Sequence, residues 1–151
     1  MKNKINIKVV NSINKFKAKD WDNCNKNGNV FLSYNFLKLL EDSNSIGGNT
    51  GWQPIYFCLK VDDKITAVVP SFIKYHSQGE FVFDHSWAQA YQSLGLNYYP
   101  KLLIASPFSP VTGKRILVTQ NINALIKKKL FDFIKDFCKE NNLKNLYKSD
   151  T

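Results

Sequence analysis

The chain has 151 residues, 44% hydrophobic, 14% aromatic and 22% charged. That is one domain's worth of core and too aromatic for a disordered chain. Its most apolar stretches, residues 67–73 and 102–105, fall far short of the roughly 20 residues a bilayer needs, and residues 1–8 are basic but run into no apolar segment, so the expectation is no membrane span, no secretory signal and a cytoplasmic location. The formal net charge is +9, yet Arg115 is the single arginine; this lysine, asparagine and isoleucine bias reads as the imprint of an AT-rich genome rather than as a dedicated polyanion surface.

Residues 5–10 alternate weakly and read as a first strand, and residues 18–25 as a short helix carrying Trp21. Residues 29–44 read as a firmer helix, with Ser33 as a possible cap, an apolar stripe of Phe36, Leu37, Leu39 and Leu40, and Glu41 and Asp42 solvated. The glycines of residues 45–51 mark a loop. Residues 55–61 and 65–72 are β-branched and aromatic, with Asp62-Asp63-Lys64 turning between them. Pro70 cannot donate to a ladder, so the second of these strands is bulged or at an edge there.

Residues 79–84 alternate, with Glu80, Val82 and Asp84 on one face and Phe81 and Phe83 on the other. Residues 86–94 read as a short helix ending at Gly95, and residues 98–105 as a strand interrupted by Pro100. A Pro- and Gly-containing loop spans residues 106–114, and a short strand residues 115–118. Ile122, Leu125, Ile126, Leu130, Phe133, Ile134, Phe137 and Cys138 recur at helical spacing, with Lys127, Lys128 and Lys129 read as its wet face. Residues 143–147 close the chain as a strand, which the helical crossover should set parallel to an earlier one. Together these predict an α/β fold of mixed strand direction.

Several chemistries are absent. Cys24, Cys58 and Cys138 are odd in number and form no C-x-x-C pair, and His76 and His85 are the only histidines, so neither a disulfide framework nor a metal site is expected. Cys58 and Cys138 read as small core hydrophobes, and Trp21, Trp52 and Trp87 as packing residues. Gly113-Lys114 does not complete a P-loop, because Phe108 stands at the first glycine's place and Arg115 replaces Ser/Thr. Neither G-x-S-x-G nor G-x-G-x-x-G occurs.

The remaining candidates are single groups. Glu80 and Asp84 share a strand face but lie about 13 Å apart, so each could serve alone as a base or sit in a salt bridge. His76 ends one strand, and His85 follows Asp84. Tyr98 and Tyr99 point to opposite faces of their strand. Lys101, Lys114 and Arg115 flank the Pro-rich loop and could hold an anion; the alternative is solvated surface lysine.

Six blocks, VFLSYNFLKLLE (30–41), TGWQP (50–54), HSQGEFVFD (76–84), WAQAY (87–91), GLNYYPKL (95–102) and PFSPVTGKR (107–115), in this order and spacing resemble the FemAB-like family of bacterial proteins. Its members are described as peptidoglycan biosynthesis or recognition proteins and predicted N-acyltransferases. The resemblance implies a GNAT-like domain over residues 1–151, a mixed, largely antiparallel sheet flanked by helices, forming the N-terminal part of a longer two-domain protein. It implies transfer of an acyl or aminoacyl group from acyl-CoA or aminoacyl-tRNA to an amine on a small molecule or cell-wall precursor, with no nucleic acid other than a tRNA donor and no metal. In these family-like blocks Glu80 or Asp84, with His76 in reserve, is the expected base; Tyr99 or Tyr98 the group that protonates the leaving group; and Lys101, Thr112, Gly113, Lys114 and Arg115 the donor-phosphate contacts. The chain departs from the GNAT pattern in one respect: (Q/R)-x-x-G-x-(G/A) is absent before Ile122, where Val118-Thr119-Gln120-Asn121 stands. Helix amides with Asn121 as cap are the substitute phosphate site. The competing expectation is a non-catalytic module that recognises a cell-wall or acylated ligand, and a basic nucleic-acid binder comes last.

Overall fold

The computed structural model describes residues 3–76, 89–90, 92–95, 99–107 and 114–147. In chain order they form strand β1 (Ile5–Val10), a 3-10 turn (Ile13–Lys15), helix α1 (Ala18–Asp22), a second 3-10 turn (Val30–Leu32) and helix α2 (Tyr34–Asp42). Strands β2 (Trp52–Val61), β3 (Lys64–Lys74), β4 (Lys101–Ile104) and β5 (Leu117–Val118), helix α3 (Ala124–Glu140) and strand β6 (Lys144–Tyr147) follow. The sheet runs β1-β2-β3-β4-β6, with β5 also on β3. Its pairings are antiparallel except β4 with β6, which is parallel. The mixed α/β fold is consistent with a GNAT-like domain, and the crossover through α3 gives the expected parallel strand.

The β2–β3 hairpin is the longest ladder. Asp62 and Asp63 take left-handed φ of 51° and 65°, closing Val61 onto Lys64 in the primed turn geometry that Asp tolerates. The register slips between Leu59 and Lys60, so the bulge lies near the turn and not at Pro70. Along the edge of β3 away from β2, β4 pairs from Ser71 onward and β5 at Ala67 and Val68. Pro70 falls in the gap between these two ladders, where a missing N–H costs least.

The hairpin buries both faces, so the sheet needs cover on both sides. On one face Tyr56, Cys58, Val68, Phe72 and Leu103 pack with Ile13, Phe16, Trp21, Leu32 and Leu37 from the N-terminal helical layer. Trp21, Phe16, Tyr56 and Phe72 meet edge to face, with the Trp21 and Tyr56 ring centroids 5.3 Å apart. On the other face α3 lays Leu130, Ile134 and Cys138 against Ile55, Phe57, Val69, Leu102 and Ile104. Lys127, Lys128 and Lys129 are exposed, and Lys128 meets Asp132 at 2.9 Å.

Several boundaries differ from the sequence reading. Residues 29–44 are not one helix: Ser33 is extended at φ −69°, ψ 153° and its side chain accepts from the Phe36 N–H, so the 3-10 turn and α2 are separate. Within α2, Leu37 is buried whereas Leu39 is 62% exposed. Helix α3 starts at Ala124, two residues after Ile122, and Asn123, not Asn121, caps it by accepting from the Ile126 N–H at 2.8 Å. Strand β4 begins only after Pro100. Residues 89–90 and 92–93 are helical and Gly95 takes φ 71°. The expected strand at 79–84 lies outside the described residues.

Glu41 is not solvated as expected. Its Oε2 accepts from the Ile13 N–H at 2.6 Å and from the Tyr56 hydroxyl at 3.2 Å, tying α2 to the first 3-10 turn and to the middle of β2. Burial, and then the Glu41 carboxylate, push the Tyr56 hydroxyl far above its ordinary pKa. Tyr56→Phe should therefore lower stability by about 1.5 kcal/mol in urea unfolding, the scale of a hydrogen bond to a charged group; an unchanged midpoint would mean that the bond adds nothing.

Candidate functional site

Cross-strand partners project to the same face of a sheet. Trp52 of β2 is opposite Lys74 of β3, Lys74 is opposite Lys101 of β4, and Lys101 pairs with Lys144 of β6. Lys74 lies two residues beyond Phe72, so this row continues the face that carries Tyr56, Phe72 and Leu103. Lys74 is 0% and Lys101 1% exposed. A buried ammonium is costly without compensating contacts, and aromatic rings supply part of these. Lys74 Nζ stands 3.7 Å from the Trp52 ring centroid and Lys101 Nζ 5.3 Å from that of Tyr99.

His76 closes the same end of the sheet. Its Nε2 lies 3.1 Å from the Thr50 carbonyl, which accepts only if that nitrogen carries the proton; in the neutral ring Nδ1 is then the basic nitrogen. The ring covers Gly51, whose φ is +76° and where an added Cβ would stand 2.1 Å from Nε2. Glycine is required there both for the left-handed backbone and for the close approach. The loop before β2 is held by the Thr50 hydroxyl, which donates to the Gly47 carbonyl and accepts from the Trp52 N–H, and by the Tyr75 N–H, which donates to the Gly51 carbonyl.

Of the residues expected from the sequence, His76, Tyr99 and Lys101 thus converge on one end of the sheet. Arg115 does not join them: it donates from Nη1 to Ser106 Oγ at 3.1 Å. Ser106 lies just past the far end of β4, about 17 Å along the strand from Lys101. Lys114 lines a cavity of 520 Å³ between residues 24–31 and 114–121, so the three cations assigned to donor phosphates do not share one place. Glu80, Asp84, His85, Tyr98, Thr112 and Gly113 lie outside the described residues. Sequence reasoning missed Lys74 and Gly51. A signal for Lys74 existed, since it extends the two-residue alternation of Val68 and Phe72, but lysine at a strand end ordinarily reads as exposed.

The thiols are buried and offer no nucleophile. Burial raises Cys24 to about 12 and Cys138 to about 11, and Cys58 rises for the same chief reason. Among the described residues no group of three or more His, Cys, Asp or Glu side chains could hold a metal ion, and no helix is long and apolar enough to cross a membrane.

A family model described as FemAB-like, peptidoglycan biosynthesis and recognition, matches residues 12–148. No curated protein and no solved structure matches the chain.

Two outcomes follow from this geometry. Gly51→Ala should cost at least about 1 kcal/mol and shift the His76 ring signals in NMR; unmoved signals would show that the ring does not depend on Gly51. Because Cys24 is raised from 9.0 to about 12, its thiol ionises first in the unfolded chain. The stability it contributes is complete below pH 9 and is lost as pH rises toward 12, by about 1.4 kcal/mol per pH unit. Urea midpoints between pH 9 and 11 should fall less steeply in Cys24→Ala than in the parent.

Proposed function

The chain belongs to the FemAB-like family of peptidoglycan biosynthesis and recognition proteins, whose match spans nearly all of it, and from that premise we propose that it is an N-acyltransferase moving an acyl or aminoacyl group onto an amine. The observation that carries this reading is that His76, Tyr99 and the buried Lys74 and Lys101 all lie toward one end of the sheet. A base, an acid and buried positive charge are what acyl transfer to an amine needs. The GNAT-like order of strands supports it.

In this mechanism the acceptor amine attacks the donor carbonyl, and a base takes the proton that the amine loses. His76 Nδ1 is one candidate and the Glu80 or Asp84 carboxylate the other. Negative charge develops on the carbonyl oxygen of the tetrahedral intermediate. Backbone amides would hold that oxygen, and the fixed charges of Lys74 and Lys101, in surroundings with little water to screen them, would lower its energy. Tyr99 would give a proton to the departing thiolate or alkoxide. Donor phosphates, from acyl-CoA or aminoacyl-tRNA, would meet Lys114 and Arg115 with Thr112 and Gly113, and the acceptor would be a small molecule or cell-wall precursor. Both donors are made in the cytoplasm, which fits that location.

One observation favours a recognition module that uses the fold without the chemistry. Residues 118–123 contain no glycine, and the Asn123 side chain already occupies the Ile126 N–H at the start of α3, so that amide is not available to a pyrophosphate.

Calorimetry with acetyl-CoA and longer acyl-CoAs separates the readings: a coenzyme A-dependent transferase binds them, whereas a recognition module binds a cell-wall peptide and not the thioester. In turnover assays His76→Gln should lower kcat by about 100-fold or more if His76 is the base, with Glu80→Gln and Asp84→Asn near the parent. The reverse pattern gives the role to a carboxylate.

A further inference from the structure

The cavity between residues 24–31 and 114–121 lies well away from the candidate acyl-transfer site. Leu117 and Val118 line it and pair with Val68 and Ala67 of β3, whereas Lys74 stands roughly 20 Å further along that strand. At 520 Å³ it has the volume of a small-molecule site. Both of its walls are fixed by hydrogen bonds. On one, Asn25 Nδ2 donates to the Asn29 carbonyl at 2.8 Å, and the Asn29 side chain accepts from the Phe31 N–H at 3.0 Å. On the other, the Thr119 N–H donates to the Thr66 carbonyl at 2.9 Å, which anchors that segment to β3. Walls held in this way spare a ligand the cost of ordering them.

The lining combines two chemistries. Asn27 on one wall and Gln120 and Asn121 on the other are exposed, and their carboxamides bond to no other described residue. Each carboxamide offers a donor and an acceptor side by side, which suits two neighbouring hydroxyls. Phe31 supplies an apolar surface: it is 37% exposed, and its ring is held edge to face with Phe36 at 5.4 Å. The described lining contains no carboxylate. Asparagine is common throughout this chain, so amides alone would say little; their company with a fixed, part-exposed ring selects the occupant. A neutral ring rimmed with hydroxyls and apolar across its C–H face meets both sets of contacts, and that is a sugar. A nucleobase needs its polar edge met in one plane, which amides on facing walls do not supply.

We propose that this cavity binds a neutral sugar chain, with the face of one sugar against Phe31 and its hydroxyls bonded to the Asn27, Gln120 and Asn121 carboxamides. Lys26 and Lys114, which also line the cavity, take no part. The sugar is neither the acyl donor nor the amine acceptor of the proposed transfer, and the site stands whether or not the chain transfers acyl groups.

Calorimetric titration of the protein with cellohexaose, maltohexaose and chitohexaose tests this. At least one should bind, with an affinity that high salt changes by less than about twofold, since no charges are paired. Phe31→Ala should weaken that binding about tenfold or more, as should Gln120→Ala combined with Asn121→Ala, while Lys128→Ala on α3 leaves it unchanged. If Phe31→Ala proves unfolded, the double amide variant, which alters only exposed side chains, decides. Failure of all three sugars to bind overturns the proposal. So does binding that the amide variant leaves intact, binding that high salt abolishes, or binding of adenosine in place of the sugars.

Discussion

The β2–β3 hairpin is apolar on both faces over most of its length, and no single layer can cover it. Tyr56 and Phe72 look toward the N-terminal helices, whereas Phe57 and Val69 look toward α3. Each face demands its own cover, and burying both at roughly 25 cal/mol per Å² is the largest favourable contribution the fold has available. The three-layer arrangement follows from that demand. Trp21 is fixed by more than its area: its indole N–H donates to the Leu32 carbonyl at 2.8 Å while its ring stands on Tyr56. On the far side Phe133 and Phe137 meet Phe57 edge to face, so α3 is keyed to one ring of the hairpin rather than simply laid across it.

The candidate site is the place where this apolar hairpin runs out. Two residues beyond Pro54 and Phe72, on the same face, the register sets Trp52 opposite Lys74, and β4 adds Lys101 alongside. Two cations therefore stand where the core pattern would put aliphatic residues. Directly opposed like charges are unfavourable in a sheet. The aromatic faces of Trp52 and Tyr99 offset part of the cost, and His76, seated over Gly51, places a titratable ring at the same end. The rigid hairpin and the glycine-dependent loop thus fix the positions of groups that acyl transfer would use.

Much of the fold was legible because it rests on local physics. Ile5–Val10 and the body of α3 declared themselves by periodicity, Asp62-Asp63 by turn chemistry and the parallel direction of β6 by the helical crossover before it. What failed depended on partners distant in sequence. Glu41 looked solvated at the end of an amphipathic helix, and only the arrival of Ile13 and Tyr56 made it a half-buried junction. Ser33 was recognised as a cap, yet the turn before it was absorbed into the same helix, since Val30–Leu32 has no local signal separating it. Asn121 gave up the cap of α3 to Asn123, a shift of the size that helix ends ordinarily show.

By itself, then, the sequence determined the fold class, the family and most element types, because hydrophobic period, capping residues and turn residues act within a few positions of one another. Only the tertiary structure decided which charged groups meet. It set Lys101 beside Lys74 rather than beside Lys114 and Arg115. Strand register and loop packing bring such groups together from positions far apart in the chain, and neither is written in the spacing of residues along it.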